Sequence, residues 1–268
     1  MLIKVFANSN WFSEFLHNLP SEIYVTFLIV IVVLILGIIV SIKARKADPL
    51  EKPKGILHLV EILVTFFDNL KESAMGKGFN GMAPYFMGVA IFIFLNFLVG
   101  LVGLPTPTAS LIVPMALALL TVILIHATSV RTNKWGYFER YTSPSILFLP
   151  MNIISQFSPL ISLSFRLFGN TLAGWSIMTL IYWALEMGSN FIFGFFMPAG
   201  VASIWLAPLI TPWLHLYFDI FSGLIQTYVF VMLSMMFIAQ EGPEEEDVPV
   251  QKFVDKAGNT ITTLAKEN

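Results

Sequence analysis

The chain has 268 residues, 56% of them hydrophobic and only 12% charged, with a mean hydropathy of +0.78 and a formal net charge of −2. A soluble domain carries about twice that share of charge, so the composition excludes an ordinary soluble enzyme and points to an all-α polytopic membrane protein. The absence of cysteine excludes disulfides and thiolate metal sites, and no basic tract suggests a nucleic-acid partner.

Residues 1–22 read as an extracytoplasmic segment ahead of the first apolar run, 23–42. That run holds 20 residues without a charge, enough to cross a hydrocarbon core of about 30 Å at about 1.5 Å per residue. Its cationic flank, 43-KARK-46 and then Lys52 and Lys54, follows it. A cleavable signal peptide has the reverse order, so the run is expected to be an uncleaved anchor with its N-terminus outside; a retained signal sequence is the alternative. Over 54–75, apolar residues recur at helical spacing (Ile56, Leu59, Leu63, Phe66, Leu70), with Glu61, Asp68, Lys71 and Glu72 mostly on another face. An amphipathic helix lying at the membrane surface is expected there.

Between Gly78 and Val130 there is no Lys, Arg, Asp or Glu. Pro105, Pro107 and Pro114 divide this tract into a hairpin of two spans, near 83–104 and 111–130, closed by Arg131, Lys134 and Arg140. Two longer tracts follow. The first, near 150–187, is over about 50 Å long as a helix, and the second, 201–240, about 60 Å. Such helices must tilt steeply, kink or break, and Pro159, Pro208 and Pro212 offer bending points. The membrane domain thus covers 23–240 with about five spans, and 241–268 is a polar, soluble tail with little sign of a packed core. With the N-terminus outside, only Lys4 of the fifteen Lys and Arg residues lies on the outer face and only Arg166 within a span. That positive-inside pattern puts the C-terminus in the cytoplasm.

Arg166 stands in 164-SFRLFGN-170, behind 25 uncharged residues and ahead of 19 more. A guanidinium at bilayer depth costs a few kcal/mol on insertion scales and stays charged, so it needs a partner or a wet cavity. Its helix carries a polar and small stripe of Ser155, Ser158, Ser162, Arg166, Gly169/Asn170 and Ala173, and the next carries His215, Asp219, Ser222 and Gln226. Steps of three and four put each set on one helix face, so the two faces meet each other or something shared. Ser155 and Ser158 also fit ordinary packing of small residues. His126 fits an interfacial or packing role, and His17 and His58 the surface. Arg166 and Asp219 also fit a purely structural ion pair, and Gln226 a structural role. No metal constellation, phosphate loop or nucleophile–base pair stands out, so the chain is not an enzyme by itself and no cofactor is expected.

The string 166-RLFGN-170 with Ala173–Gly174, and 225-IQTYVF-230 on the last helix, resemble the two signatures of subunit a of F-type ATP synthases. The proline turn 105-PTPTASLIVPMALAL-119, the amphipathic helix and the paired long helices extend the resemblance over roughly 22–240. It implies a stator in a bacterial plasma membrane, working with a rotating c-ring of hairpin subunits, peripheral-stalk b subunits and a catalytic head. Two half-channels would carry H⁺, or alternatively Na⁺, to and from the ring carboxylates, with Arg166 separating them. The resemblance implies that Asn170 and Gln226 line or brace the pathway; Asp219 would relay protons and His215 assist. This chain departs from the family at Trp175, where many members have Glu or His, at Ser155 and Gln156, and at Ser110 and Ile112 after the proline turn. The readings that compete are a secondary transporter binding an anionic substrate at Arg166 and a membrane scaffold held by an Arg166–Asp219 pair.

Overall fold

The computed structural model describes residues 20–46, 55–76, 78–79, 81–138, 141, 146–198, 205–242, 251–254 and 260–263. The N-terminal segment ahead of residue 20, together with Lys52, Lys54, Arg140 and residues 201–204, lies outside them. Six long helices are described: α1 (Ser21–Lys46), α2 (Ile56–Met75), α3 (Ala83–Leu101), α4 (Ile112–Asn133), α5 (Leu149–Phe193) and α6 (Ala207–Ala239). The oily tracts must fold this way in lipid, where each backbone N–H and C=O has to be satisfied within its own segment. By length and composition, α1, α3, α4 and α6 can cross a membrane. The fifth expected span, α5, has 45 residues and is about 68 Å long. Its serines, asparagines, glycines and Arg166 dilute its hydropathy, so it is not among those four.

Prolines and glycines set the ends of these helices. Pro84 and Pro150 sit in the first turns of α3 and α5, where a missing N–H costs no helical bond. Gly103, at φ +79°, turns the chain out of α3, and a short 3₁₀ turn at Pro107–Ala109 leads into α4. The two long tracts, expected to tilt steeply, kink or break, are unbroken helices among the described residues. α5 passes through Pro159. α6 passes through Pro212 and widens four residues later into a π-helical stretch, Leu216–Ser222.

α3 and α6 form the centre. On one level Phe67, Phe86, Ala90, Val231, Met235 and Ile238 join α2, α3 and α6. On the next, Ile93, Phe97, Ala118, Leu163, Leu167 and Phe230 join α3, α4, α5 and α6. Gly223 permits this approach, since a Cβ there would lie 2.7 Å from both Cβ and Cγ of Phe97. α2 turns Phe67 and Met75 inward and leaves Ile56, Leu59 and Phe66 exposed, the amphipathic pattern read from its spacing. α1 buries only Val25 and Ile29; its exposed Phe27, Leu28, Ile31 and Leu34 make an apolar outer surface suited to lipid.

The helical membrane domain is followed by an element that the composition of the tail did not foretell. Gln251–Val254 pairs antiparallel with Thr260–Thr263, Gln251 opposite Thr263 and Val254 opposite Thr260. Both segments are short and the second is rich in β-branched residues, which suits a ladder.

Candidate functional site

The two polar stripes face each other across α5 and α6. Ser222 Oγ donates to Asn170 Oδ1 at 3.0 Å, and Asn170 Nδ2 donates to Gln226 Oε1 at 3.4 Å. One amide of α5 is thereby held by two side chains a turn apart on α6. Gln226 is buried, and its Nε2 has no hydrogen-bond partner among the described residues.

Arg166 lies one turn before Asn170. Its Nη2 donates to Ser162 Oγ on the same helix at 3.3 Å, while the buried Nη1 has no partner among the described residues. No ion pair joins Arg166 to Asp219 among the described residues; the pairs present there are His58–Glu61 and His215–Asp219. The Arg166–Asp219 scaffold pair is therefore absent from this arrangement. A half-buried guanidinium with a buried, unsatisfied N–H and no carboxylate partner among the described residues is an expensive arrangement unless something else approaches it.

Asp219 has a different neighbour. His215 Nδ1 lies 2.8 Å from Asp219 Oδ2, and His215 Nε2 lies 3.0 Å from the Tyr182 hydroxyl on α5. Asp219 falls within the π-helical stretch, a local geometry often found at functional sites. His215 and Asp219 border a cavity of about 430 Å³ between the proline turn, α5 and α6, which Asn170, Thr171, Gly174 and Trp175 also line. A cavity of this size, with polar groups in its wall, has room for about fourteen waters at about 30 Å³ each. Gly100 opens its floor, because a Cβ there would approach Asp219 Cγ to 3.8 Å. Thr108 in the 3₁₀ turn is fully buried and bonds to Thr171 at 2.9 Å, tying the proline turn to α5.

A second cavity, about 220 Å³, lies toward the other ends of α5 and α6. Ser155, Gln156, Ser158, Gln240 and Glu241 line it with Ile125, Pro159 and Phe237. Ser155 and Ser158 are exposed here rather than packed into the core. Along α5, Arg166 sits about 12 Å beyond Ser158 and about 6 Å before Asn170, so it lies between the two cavities in helix order. The remaining described histidines lie elsewhere. His58 is exposed beside Glu61, and His126 bonds through Nδ1 to the Tyr137 hydroxyl at 3.1 Å; His17 lies outside the described residues.

Spacing alone missed Tyr182, Gly100, Thr108 and Glu241. A signal for Tyr182 existed: steps of four from Asn170 through Gly174 and Met178 reach it, and those three residues line the larger cavity. Glu241 follows the last apolar run and reads as the start of the tail.

The family model described as ATP synthase A chain matches residues 24–239. The ATP synthase subunit a of Mycoplasma pneumoniae is 31% identical over 255 residues, 88% of this chain and 85% of that protein. The ATP synthase subunit a of Mycoplasma genitalium is 32% identical over 226 residues, 80% of this chain and 76% of that protein. A shorter match, 38% identical over 138 residues, joins 51% of this chain to 40% of the sodium ion specific ATP synthase subunit a of Propionigenium modestum.

Proposed function

Because this chain belongs to the ATP synthase A chain family, we propose that Arg166 is the fixed charge separating two ion half-channels, against which the carboxylates of a rotating c-ring discharge. The chain is a non-catalytic, multi-pass membrane subunit of the ATP synthase complex, a stator component of its ion channel. It carries no ATP chemistry of its own, so hydrolysis and synthesis belong to other subunits.

The observation that carries the reading is the half-buried Arg166 guanidinium, its Nη1 buried and without a partner, paired with no carboxylate among the described residues, and set between the two cavities in helix order. A ring carboxylate arriving beside a permanent positive charge is favoured in its ionised form and releases its proton. The same charge repels a hydrated proton and so discourages a leak from one cavity to the other. A lysine can lose its proton at depth and is not equivalent. Asn170, held by Ser222 and Gln226, braces the helix face that presents the arginine. Asp219, beside the larger cavity, exchanges protons with its water, assisted by His215.

The ion in this reading is H⁺, because a His–carboxylate pair transfers protons and offers Na⁺ only a sparse oxygen set. The distribution of Lys and Arg supports a bacterial plasma-membrane orientation with the N-terminus outside and the C-terminus cytoplasmic. The larger cavity then opens outward and the smaller inward. Peripheral-stalk b subunits complete the stator.

The test is Arg166→Ala in the whole complex, reconstituted into liposomes. Expected is normal co-isolation with the ring and head, with ATP-driven proton pumping lowered at least about a hundredfold. Normal coupled pumping by the assembled variant overturns the proposal.

A further inference from the structure

We infer that Tyr182 is a positioning residue: it holds the His215 ring from the facing helix and serves both states of its Nε2, thereby keeping Nδ1 aimed at Asp219 and making Tyr182–His215–Asp219 a proton-accepting relay beside the larger cavity. The inference rests on the ion-conducting role proposed above and adds to it a residue that neither family signature contains.

The argument begins with donors and acceptors. An ionised carboxylate only accepts, so at 2.8 Å from Asp219 Oδ2 the His215 Nδ1 carries the hydrogen. In the neutral ring the other nitrogen is then an acceptor, and the Tyr182 hydroxyl, 3.0 Å away, donates to it. The resting order is Tyr182 O–H to Nε2, and Nδ1–H to Asp219. The two bonds come from different helices, α5 and α6, so they hold the ring in position from both sides.

A proton from water binds Nε2 and forms imidazolium, while the Tyr182 hydroxyl rotates from donating to accepting. The Nδ1 proton then passes to Asp219 Oδ2, leaving a neutral ring with its hydrogen on Nε2 and a neutral carboxyl. One proton has entered at Nε2 and one has left at Nδ1. When Asp219 hands its proton onward, a bare Nδ1 faces a carboxylate, and exchange with cavity water restores the starting tautomer. A hydroxyl suits this place because it serves both states of Nε2, as donor and then as acceptor. Phenylalanine would keep the ring packing and lose both roles.

The groups facing the imidazole are few. Tyr182 comes from α5 and Asp219 from α6 itself, and the proline turn and α3 add Gly100, Gly103, Leu104, Pro105 and Thr106 to the cavity wall, none titratable. Glu186, exposed one turn beyond Tyr182, is the next charge along α5.

The test uses the intact complex in liposomes, with the ATP synthesis rate followed as the pH on the Tyr182 side varies through about 5.5 to 8.5, the range spanning imidazole titration. The unaltered complex should show an inflection in that range. Tyr182→Phe should move it by about half a pH unit or more and slow the alkaline limb about threefold. In a His215→Gln background the inflection should vanish and Tyr182→Phe should add nothing, the signature of coupled residues. An unchanged profile, a uniform loss at every pH, or additive losses in the double variant overturns the inference. If Tyr182→Phe fails to assemble, Tyr182→Gln decides, since its amide still donates to Nε2. A profile near that of the unaltered complex supports the inference, and one matching His215→Gln overturns it. Asp219→Asn separates the two levels. A block there with Tyr182→Phe silent removes Tyr182 alone, whereas normal rates in Asp219→Asn also remove the relay on which it rests.

Discussion

The two cavities beside Arg166 are built from different chemistry. The larger has a titratable pair in its wall, His215 and Asp219, bonded to each other and backed by Tyr182. The smaller has neutral hydroxyls and amides, Ser155, Gln156, Ser158 and Gln240, with Glu241 as its one ionisable lining residue. In the proposed reading a proton entering the larger cavity is captured at a fixed carboxyl, while one leaving through the smaller is passed by water between neutral groups. A stator loading from dilute protons gains from a fixed acceptor. On the proposed release side Arg166 would supply the drive, and a strong acceptor near it would hold the proton back.

That contrast can be broken by substitutions at each end, measured as ATP-driven proton pumping by the assembled complex. The largest effect is expected for Asp219→Asn, a drop of about a hundredfold, the scale of losing a general acid–base group. Gly100→Leu should follow with about a tenfold loss. Its Cβ enters within 3.2 Å of Thr106 Cγ2 and toward Asp219, and overpacking of about 1–3 kcal/mol corresponds to that scale. Ser158→Leu, which intrudes on the smaller cavity, should cost about fivefold, because Ser158 and its lining neighbours Ser155 and Gln240 are exposed, with room to shift. Glu241→Gln should cost only about twofold, seen chiefly when the pH on its side is high, since it adds local proton attraction rather than an obligatory stop. If Glu241→Gln matches Asp219→Asn, the two cavities work alike and the contrast fails.

The helices were legible because lipid leaves an oily tract little alternative, and the stripes because helical spacing puts residues three and four apart on one face. The Arg166–Asp219 distance was not legible. Spacing gives the face of each helix but not the offset between two helices; the packing brings Asn170 to Ser222 and Gln226, while Asp219 bonds to His215 on its own helix. Tyr182 was hidden because an aromatic on a membrane helix commonly faces lipid, and this one is 41% exposed. The hairpin at Gln251–Val254 and Thr260–Thr263 escaped because two four-residue segments in a charged tail carry too few apolar positions to reveal an alternation.

The π-helical stretch Leu216–Ser222 separates chain length from angular register. Its wider turn carries an extra residue relative to an α-helix. A single deletion there can convert it to an ordinary turn and leave the flanking halves in phase. The same deletion between Gly223 and Gln226 would swing one half against the other by about 100°, taking Gln226 off the side that meets Asn170. Relatives that differ by one residue ahead of Gly223 can therefore share one geometry. Residue counts measured backward from Gln226 through this stretch should be compared by wall position, not by number.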